Sequence, residues 1–451
     1  MATPVMNRKY LQTLIALAVL AGLWGVFVYV GRKKSAPGSK AKSATAEKIF
    51  PAKSDQVVAF TLTPDGGKAV TCTRNGKAWE ITEPEKLAAD SSAIDGLLSS
   101  LTSATDGEVV SENPTDLKEF GLDPPQTTLE VKTNATPAEF TLRLGSSTPT
   151  DSGIYAQVAG QQRVITLASF LKASLEKNLF DLRDKKVVTL ASDDIERLDV
   201  SSNKGSYQLA RNADGIWDLM LPPPVRADRF TVQGLVDELG SASMQSIVEE
   251  SKKDLGQYGF SNPTLTLHLS GAKGGQTLVL GKKDGSNYYA MNTAVGPVFT
   301  LGSDFLTQFQ KGPSDLRSKD LFTFSTYEAK KVTVQGPKGS RTLVQHTDGK
   351  WEQTQPASMV VSSDKMQSLL QDLRDLSAQS FPTKNPTDLA AYGLTKPKYT
   401  FQVQYGDHNQ TETVQVSQVG DHVYARLSTD LVPSELSKDA ISKLQKDLGA
   451  L

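Results

Sequence analysis

The chain has 451 residues, a length typical of about three domains, with 22% charged and 38% hydrophobic side chains. Its 49 lysines and arginines nearly balance its 50 aspartates and glutamates, whereas a nucleic-acid-binding protein needs a concentrated positive surface. The single cysteine, Cys72, excludes an internal disulfide and a metal site built from several thiolates. The totals therefore favour a globular protein of several domains and predict no nucleic-acid partner.

An apolar run at residues 11–30 is the first predicted element, and a polar tail at 1–10 precedes it. As a helix, this run would be about 30 Å long, which is the thickness of the hydrocarbon core of a bilayer. A cleaved signal peptide is the alternative, but its apolar region is shorter, about 7–15 residues, and no small-x-small cleavage site follows. The run predicts an uncleaved transmembrane helix that contacts the bilayer.

Residues 31–47 are rich in Ser, Ala, Lys, Gly and Pro and have no apolar periodicity, so they predict a flexible linker. Basic side chains flank the apolar run on both sides, with more of them downstream. Applied literally, the positive-inside rule would place the rest of the chain in the cytoplasm, but the rule is weak for long translocated domains. The residues alone leave the orientation open.

Beyond the linker, three landmarks of different chemistry recur with one shared pair of intervals. They are a tryptophan, a glycine and a leucine, namely Trp79, Trp217 and Trp351; Gly121, Gly259 and Gly393; and Leu101, Leu239 and Leu373. One pair of spacings in three residue types indicates a single module used three times. We name these predicted domains module 1 (48–184), module 2 (185–320) and module 3 (321–451).

Each module opens with a predicted β-meander. Asn-Gly or Asp-Gly pairs at 75–76, 214–215 and 348–349 indicate tight hairpin turns, because these residues tolerate a positive φ. The landmark tryptophan comes shortly after each turn glycine. A platform that stacks on carbohydrate is one interpretation of this tryptophan, and a core anchor beneath the next helix is the favoured one.

An amphipathic helix follows in each module, with apolar residues at i, i+3, i+4 and i+7 that end at the landmark leucine. This stripe predicts a helix packed on the sheet. Ser91, Asp228 and Ser363 precede the three stripes and are the predicted N-caps.

The phrase Asp-Leu-x-x-aromatic-Gly-apolar comes next, at 116–122, 254–260 and 388–394. It predicts one helical turn that ends in a left-handed glycine, with the following apolar residue folded back onto the leucine. A proline shortly after the phrase prevents the helix from continuing. An aromatic ring beside a glycine also suits a ligand pocket, but the repetition favours a structural role.

Alternating strands complete each module and align three tyrosines, Tyr155, Tyr289 and Tyr424, which we predict as a possible ligand or partner surface. In module 3, the segment at 427–436 replaces a recognisable strand before the last helix, as expected of an atypical terminal copy. Arg183 and Arg317 occupy matching positions at the two junctions. They are predicted to bridge neighbouring modules, with surface exposure as the alternative.

Catalytic motifs are not recognisable in this sequence. The four histidines lack the helical spacing of a zinc pair, and neither GxSxG nor a glycine-rich phosphate loop occurs. We therefore assign no catalytic, metal or cofactor residue. A metal site of distant ligands, or the carboxylates of a glycosidase, can form without a sequence motif and stay open.

The repeated phrases resemble a bacterial family, the domain-of-unknown-function family 4340. The resemblance rests on the D-L-x-x-[YF]-G-[LF] phrase with its proline, the strands ending in Leu-Gly at 144–145 and 280–281, the aligned tyrosines and the junction at 182–185. It covers residues 48–451, and module 3, with Val416-Ser417 in place of Leu-Gly, fits least well.

The resemblance implies a bacterial protein with a single membrane anchor and its repeats outside the cytoplasmic membrane. It implies a similarity to the accessory component of gliding-motility-type ABC export systems, which accompanies a permease and an ATPase. The shared motifs are structural, so the resemblance implies no catalytic residues.

We therefore predict an α+β protein with an N-terminal transmembrane helix and three tandem modules of antiparallel sheet with packed helices, in an elongated array. Three functions are open: a non-enzymatic accessory or scaffold protein of an ABC-type transport complex, an envelope glycan or polymer binding protein, and an unrecognised envelope hydrolase. The first is favoured, with an ABC permease or related membrane protein as partner and no cofactor.

Overall fold

The computed structural model describes residues 47–251 and 255–451, so the predicted tail, the transmembrane helix at 11–30 and nearly all of the linker lie outside the described residues. Within the described residues, three antiparallel sheets and eight α-helices confirm the predicted α+β class, with one sheet in each module. No helix of these two ranges has the length and apolar character needed to cross a membrane. The chain divides into two compact units, one that ends at Asp184 and one that spans Lys185–Leu451.

Module 1 contains one nine-stranded antiparallel sheet. Its elements are β1 (Val57–Pro64), β2 (Val70–Asn75), β3 (Ala78–Glu83), β4 (Leu87–Ala88), α1 (Ser91–Ser103), β5 (Val109–Ser111), β6 (Thr127–Thr133), β7 (Glu139–Ser147), β8 (Gly153–Val158), β9 (Val164–Ala168), α2 (Phe170–Leu175) and α3 (Leu179–Leu182). The strand order is β4-β3-β2-β1-β6-β7-β8-β9-β5, which places the meander and the second group of strands side by side through β1 and β6.

Module 2 repeats this order with nine strands. Its elements are β10 (Arg197–Ser202), β11 (Gly205–Arg211), β12 (Trp217–Leu219), β13 (Val225–Arg226), α4 (Arg229–Ser241), β14 (Ser246–Glu249), β15 (Leu265–Gly271), β16 (Gly274–Asp284), β17 (Asn287–Asn292), β18 (Val298–Gly302), α5 (Ser303–Phe309) and α6 (Pro313–Leu316).

Module 3 has eight strands in the corresponding order. Its elements are β19 (Ala329–Gly336), β20 (Gly339–Gln345), β21 (Trp351–Gln355), β22 (Met359–Val361), α7 (Ser363–Arg374), β23 (Tyr399–Tyr405), β24 (Gln410–Val419), β25 (His422–Leu427), β26 (Ser434–Leu436) and α8 (Lys438–Ala450).

The predicted meanders and helices are confirmed. The turn glycines Gly76, Gly215 and Gly349 have φ of 62°, 76° and 80°, a left-handed backbone that costs glycine little. All four stripe residues of α1, α4 and α7 are buried, and in module 1 they join a core with alternate residues of the strands. Burial of this stripe is what holds each helix on its sheet.

Two of the three predicted N-caps are wrong by one residue. Asp90, not Ser91, caps α1, and its carboxylate accepts from Ala93 N at 3.0 Å. Ser362, not Ser363, is the N-cap residue of α7. The prediction of Asp228 is confirmed, since its carboxylate accepts from Thr231 N at 2.8 Å.

The expectation that 427–436 replaces a strand in module 3 is also wrong. The last residues of this segment form β26, which pairs antiparallel with β25 through Val423 and Leu436. Among the described residues, module 3 instead has no counterpart of β5 and β14, and a single bridge between Ser380 and Glu435 stands in that place. A strand as short as β26, directly after a proline, cannot show the alternation that marks a strand in sequence.

Candidate functional site

The landmark tryptophans lie in the module interiors. Trp79, Trp217 and Trp351 are only 4%, 8% and 5% exposed. The ring of Trp79 packs edge-on against Phe60, with centroids 5.6 Å apart, and the Arg74 guanidinium lies 4.6 Å from it. Because a buried ring is unavailable for stacking on a sugar, this placement favours the core-anchor interpretation.

The Asp-Leu-x-x-aromatic-Gly phrase closes as a left-handed turn in all three modules, and we call it the glycine turn. Its glycines Gly121, Gly259 and Gly393 have φ of 66°, 80° and 68°. In module 1, Leu122 N donates to Leu117 O at 3.0 Å, which is the long-range bond of a Schellman end, and module 3 has the same bond at 2.9 Å. The first residue of the module 2 phrase, Asp254, lies outside the described residues.

In modules 1 and 2, the glycine turn packs against the strand that contains the Leu-Gly pair. A Cβ added to Gly145 would lie 2.2 Å from the carbonyl oxygen of Phe120, and one added to Gly281 would lie 2.1 Å from Tyr258 O. Any side chain at these two positions would therefore displace the turn. The Leu-Gly pairs that looked like a family signature are glycines at a close backbone approach.

In module 3 a serine makes the contact with the glycine turn, which explains why this module lacks the Leu-Gly pair. Ser417 stands where the other modules have Gly145 and Gly281, and its Oγ donates to Gly393 O at 2.7 Å. The residues before Gly393 form an irregular turn, whereas modules 1 and 2 have a 3₁₀ helix there. The hydrogen bond of Ser417 thus takes the place of the close glycine contact.

Each of the three predicted tyrosines contacts the aromatic ring of the glycine turn in its own module. The ring centroids are 5.1 Å apart for Tyr155 and Phe120, 5.0 Å for Tyr289 and Tyr258, and 4.8 Å for Tyr424 and Tyr392. All three tyrosines are half-buried. Sequence reasoning aligned the three tyrosines but did not predict their contact with the aromatic residue of the glycine turn. The one signal of that contact in the sequence is that the tyrosine and the turn aromatic both recur in every module.

The surroundings of two of these tyrosines raise the pKa of their phenols, which are protonated at neutral pH already at their ordinary pKa. Burial raises the pKa of Tyr289, and the neighbouring Asp284 carboxylate raises it further. Burial also raises the pKa of Tyr424, with a contribution from the charge of Glu435. These groups can stack on a ligand or donate hydrogen bonds, but they are not bases.

Tyr155 lines a cavity of about 530 Å³ between β5, β9 and the turn that joins β7 to β8. The carboxylates of Asp106 and Glu108 belong to its lining. Five residues of the lining carry a hydroxyl group, namely Thr105, Thr148, Thr150, Ser152 and Thr166. An aromatic ring, hydroxyls and carboxylates in one concavity are groups that can stack on and hydrogen-bond to a sugar. We call this concavity the Tyr155 cavity.

The two carboxylates of the Tyr155 cavity are not equivalent. Asp106 Oδ1 accepts from Glu47 N at 2.8 Å, and Asp106 Oδ2 lies 3.5 Å from the Arg163 guanidinium. Glu108 is exposed. Module 2 has Met244 at the position that corresponds to Asp106, so this acid is a feature of module 1 and not of the repeat.

Module 3 has a second cavity, of about 460 Å³, between the β19–β20 hairpin and the end of α8. Lys338, Arg341, Lys398 and Tyr399 are among the residues that line it, and Arg341 Nη1 donates to Leu448 O at 2.6 Å. Three cations in the lining of one cavity suit an anionic ligand.

Neither a metal cluster nor a reactive thiol is found in the described part of the chain. No three His, Cys, Asp or Glu side chains of residues 47–251 and 255–451 converge on a point where they could hold a metal ion. Burial raises the pKa of the Cys72 thiol to about 12, so this cysteine is not a nucleophile at neutral pH.

Within the second unit, Arg317 joins modules 2 and 3. Its Nη2 donates to Pro433 O at 3.2 Å, and its guanidinium lies 3.9 Å from the ring centroid of Phe381. Burial lowers the pKa of Arg317 to about 10, while the nearby Asp430 carboxylate opposes this shift. The predicted bridging role is therefore observed for Arg317. Arg183 is buried in the first unit, and its bridging role stays a prediction.

A family model described as a domain of unknown function, DUF4340, matches residues 79–224, 217–397 and 351–430. No curated protein matches this chain. Among solved structures, the crystal structure of the DNA polymerase III subunit beta from Pseudomonas aeruginosa is 8% identical, covers 84% of this chain and 91% of that chain, and has a TM-score of 0.13. A likeness at that TM-score carries no argument about fold or function.

Proposed function

Because this chain belongs to the DUF4340 family of domains of unknown function, whose shared residues here serve packing, we propose that it is a non-enzymatic accessory or scaffold protein of an ABC-type transport complex. The observation that carries the proposal is the position of the landmarks. The tryptophans and leucines are buried, and the glycines close turns against the sheet. A module repeated for its packing presents surfaces to a partner rather than a repeated reaction centre.

In this proposal the protein is a single-pass protein of the bacterial cytoplasmic membrane. Residues 11–30 are the anchor, 31–47 the linker, and the modules lie on the extracytoplasmic side. The support for the anchor is the apolar character of residues 11–30, in which only Gln12 and Thr13 near the start are polar and which are long enough for a helix to span a bilayer. The support for the orientation and for the ABC permease partner is the family resemblance described above.

We expect an ABC permease or its ATPase to copurify with the full-length chain after extraction in mild detergent, as identified by mass spectrometry. The matched control carries an unrelated transmembrane helix in place of residues 11–30, which separates binding by the modules from co-extraction through the bilayer. The proposed partner should remain with this control. Recovery of the chain alone, under several crosslinking conditions, would count against the proposal.

The Tyr155 cavity favours a second candidate function, binding of an envelope glycan or other envelope polymer. Its ring, hydroxyls and exposed Glu108 offer one stacking surface and several hydrogen-bond partners. The aromatic contact with Phe120 holds the Tyr155 ring in place, which lowers the entropic cost of stacking.

Replacing Tyr155 with alanine is expected to weaken binding to peptidoglycan fragments about tenfold, the effect of losing one aromatic contact and its hydrogen bond. Pulldown and a glycan array measure the change. Tyr289→Ala is the matched control, because that tyrosine has the same kind of aromatic neighbour but belongs to a module with Met244 in place of the cavity acid. Equal binding by the unaltered chain and the Tyr155→Ala chain would remove this tyrosine from the proposed site.

A further inference from the structure

In module 1, the residues that follow the last helix return to the sheet and cover its outermost strand, β4. Asp184 N donates to Ala88 O at 2.8 Å, and Asp90 N donates to Leu182 O at 2.8 Å. Between these two bonds, Ala89 and Arg183 form an antiparallel bridge. The edge of the sheet is therefore closed by backbone hydrogen bonds, as sheet edges in stable proteins usually are.

Module 2 closes its edge strand β13 in the same register. Ser318 N donates to Arg226 O at 2.9 Å, and Asp228 N donates to Leu316 O at 2.7 Å. Arg226 and Asp228 correspond to Ala88 and Asp90 of module 1, because the distance in sequence is the same as that between Trp79 and Trp217. The covering segment is thus part of the repeated design.

In module 3, no described segment of the chain covers the corresponding edge. Val360 and Ser362 correspond to Arg226 and Asp228 of module 2, because the same number of residues separates Trp217 from Trp351. Neither Val360 O nor Ser362 N has a hydrogen-bond partner among the residues that the structure describes. The strand β22 is the outermost strand of its sheet and pairs only with β21 there.

The last helices of modules 2 and 3 differ. In module 2, residues 310–312 separate α5 from α6, and the chain turns back to β13. In module 3, α8 runs without a break over Lys438–Ala450, and Ser368 Oγ on α7 contacts Asp447 Oδ2 at 3.0 Å. The residues of α8 therefore stay on the helical face and do not reach β22.

The side chains of β22 do not protect this edge. Val360 is 78% exposed and Met359 is 43% exposed. Natural edge strands are usually blocked by lysine, proline or a bulge, because an unpaired backbone pairs readily with another chain. The strand Met-Val-Val has none of these protections, and its outward acceptor and donor are unpaired within residues 47–251 and 255–451.

We propose that the β22 edge binds an extended segment of a partner protein, which pairs antiparallel in the same register as the covering segments of modules 1 and 2. The occupant carries a Leu-Arg pair whose leucine ends a helical turn and whose arginine is extended, as Leu182-Arg183 and Leu316-Arg317 are in the occupied edges. Its leucine carbonyl accepts from Ser362 N, and the N–H two residues later donates to Val360 O. This is recognition by strand addition, in which main-chain bonds supply the affinity.

This surface goes beyond the proposed accessory role and depends neither on the membrane anchor nor on the identity of a transport complex. The test therefore uses a defined probe, a fluorescent peptide with the sequence of residues 312–320, mixed with the full-length chain. We expect saturable binding by fluorescence anisotropy. Methylation of the peptide N–H at the position of Ser318 removes the donor to Val360 O, and we expect affinity to fall at least about tenfold.

Two controls restrict the binding to this edge. A peptide methylated at the position of Asp320, beyond the paired stretch, should bind like the parent. The chain variant Val360→Pro should bind weakly, because the proline ring would occupy the outward-facing side of the strand, where the peptide backbone must approach, and would leave the pairing with β21 intact. Circular dichroism and thermal unfolding check that this variant folds.

Absence of saturable binding would overturn the proposal, and so would equal binding by the peptide methylated at Ser318 or by the Val360→Pro chain. A concentration-dependent dimer of the unmodified chain that Val360→Pro abolishes would overturn it as well, because it would assign the edge to a second copy. Binding that is lost with both changes and kept with methylation at Asp320 supports the proposal.

Discussion

Replacing Gly145 with alanine is expected to lower the free energy of unfolding of module 1 by about 3 kcal/mol, the upper part of the range for overpacking a closed site. The added methyl group would overlap the Phe120 carbonyl oxygen, which belongs to the backbone and cannot rotate away. The glycine turn must then move from the sheet. Denaturant titration followed by circular dichroism measures the loss, and Gly281→Ala should reproduce it in module 2.

A glycine without close neighbours is the matched control for this substitution. Gly96 lies within α1, and a Cβ added there meets no atom within 4 Å. Gly96→Ala should therefore stabilise the first unit by about 1 kcal/mol, because alanine is the better helix former. If Gly145→Ala and Gly96→Ala unfold at the same denaturant concentration, the close approach of the glycine turn is not a constraint.

Replacing Arg317 with alanine is expected to lower the free energy of unfolding of the second unit by about 3 kcal/mol, since three contributions are lost together. The change removes a charged hydrogen bond to Pro433 O and the stacking on Phe381, and it leaves a gap where the long side chain packs. Differential scanning calorimetry of the full-length chain measures the effect on the transition that includes modules 2 and 3.

Arg317→Lys distinguishes shape from charge at this junction. Lysine keeps the positive charge near Asp430 but has no flat guanidinium to stack on the Phe381 ring. We expect it to recover less than half of the stability that alanine loses. Full recovery with lysine would show that charge alone holds the junction, contrary to the geometry of Arg317.

The repeat was predictable because its signals are local or periodic. Trp79 follows a tight turn, the α1 stripe obeys helical spacing, and Gly121 precedes an apolar residue that returns to a leucine. Each pattern depends on residues close in sequence, so each could be read without knowing the fold. The same holds for Asp228, whose side chain accepts from the nearby backbone N–H of Thr231.

The remaining features depend on contacts between distant residues. The pairing of Tyr155 with Phe120, the Tyr155 cavity and the open β22 edge all arise from strands that the fold brings together. Sequence reasoning also took Leu144-Gly145 as a family signature, because the carbonyl that requires this glycine comes from another loop. The missed strand β26 is very short, and its partner strand identifies it better than its own sequence does.

The junction of modules 2 and 3 also has a mechanical consequence. Ser318 N is bonded to the last strand of the module 2 meander, and the next residue, Lys319, accepts from Ala378 N of module 3 at 2.7 Å. Tension along the chain therefore passes from one module to the next across the single peptide bond between Ser318 and Lys319, because no flexible residues lie between the two hydrogen-bonded positions. Pulling the two modules apart must begin by breaking backbone hydrogen bonds, so this joint resists load from its first displacement.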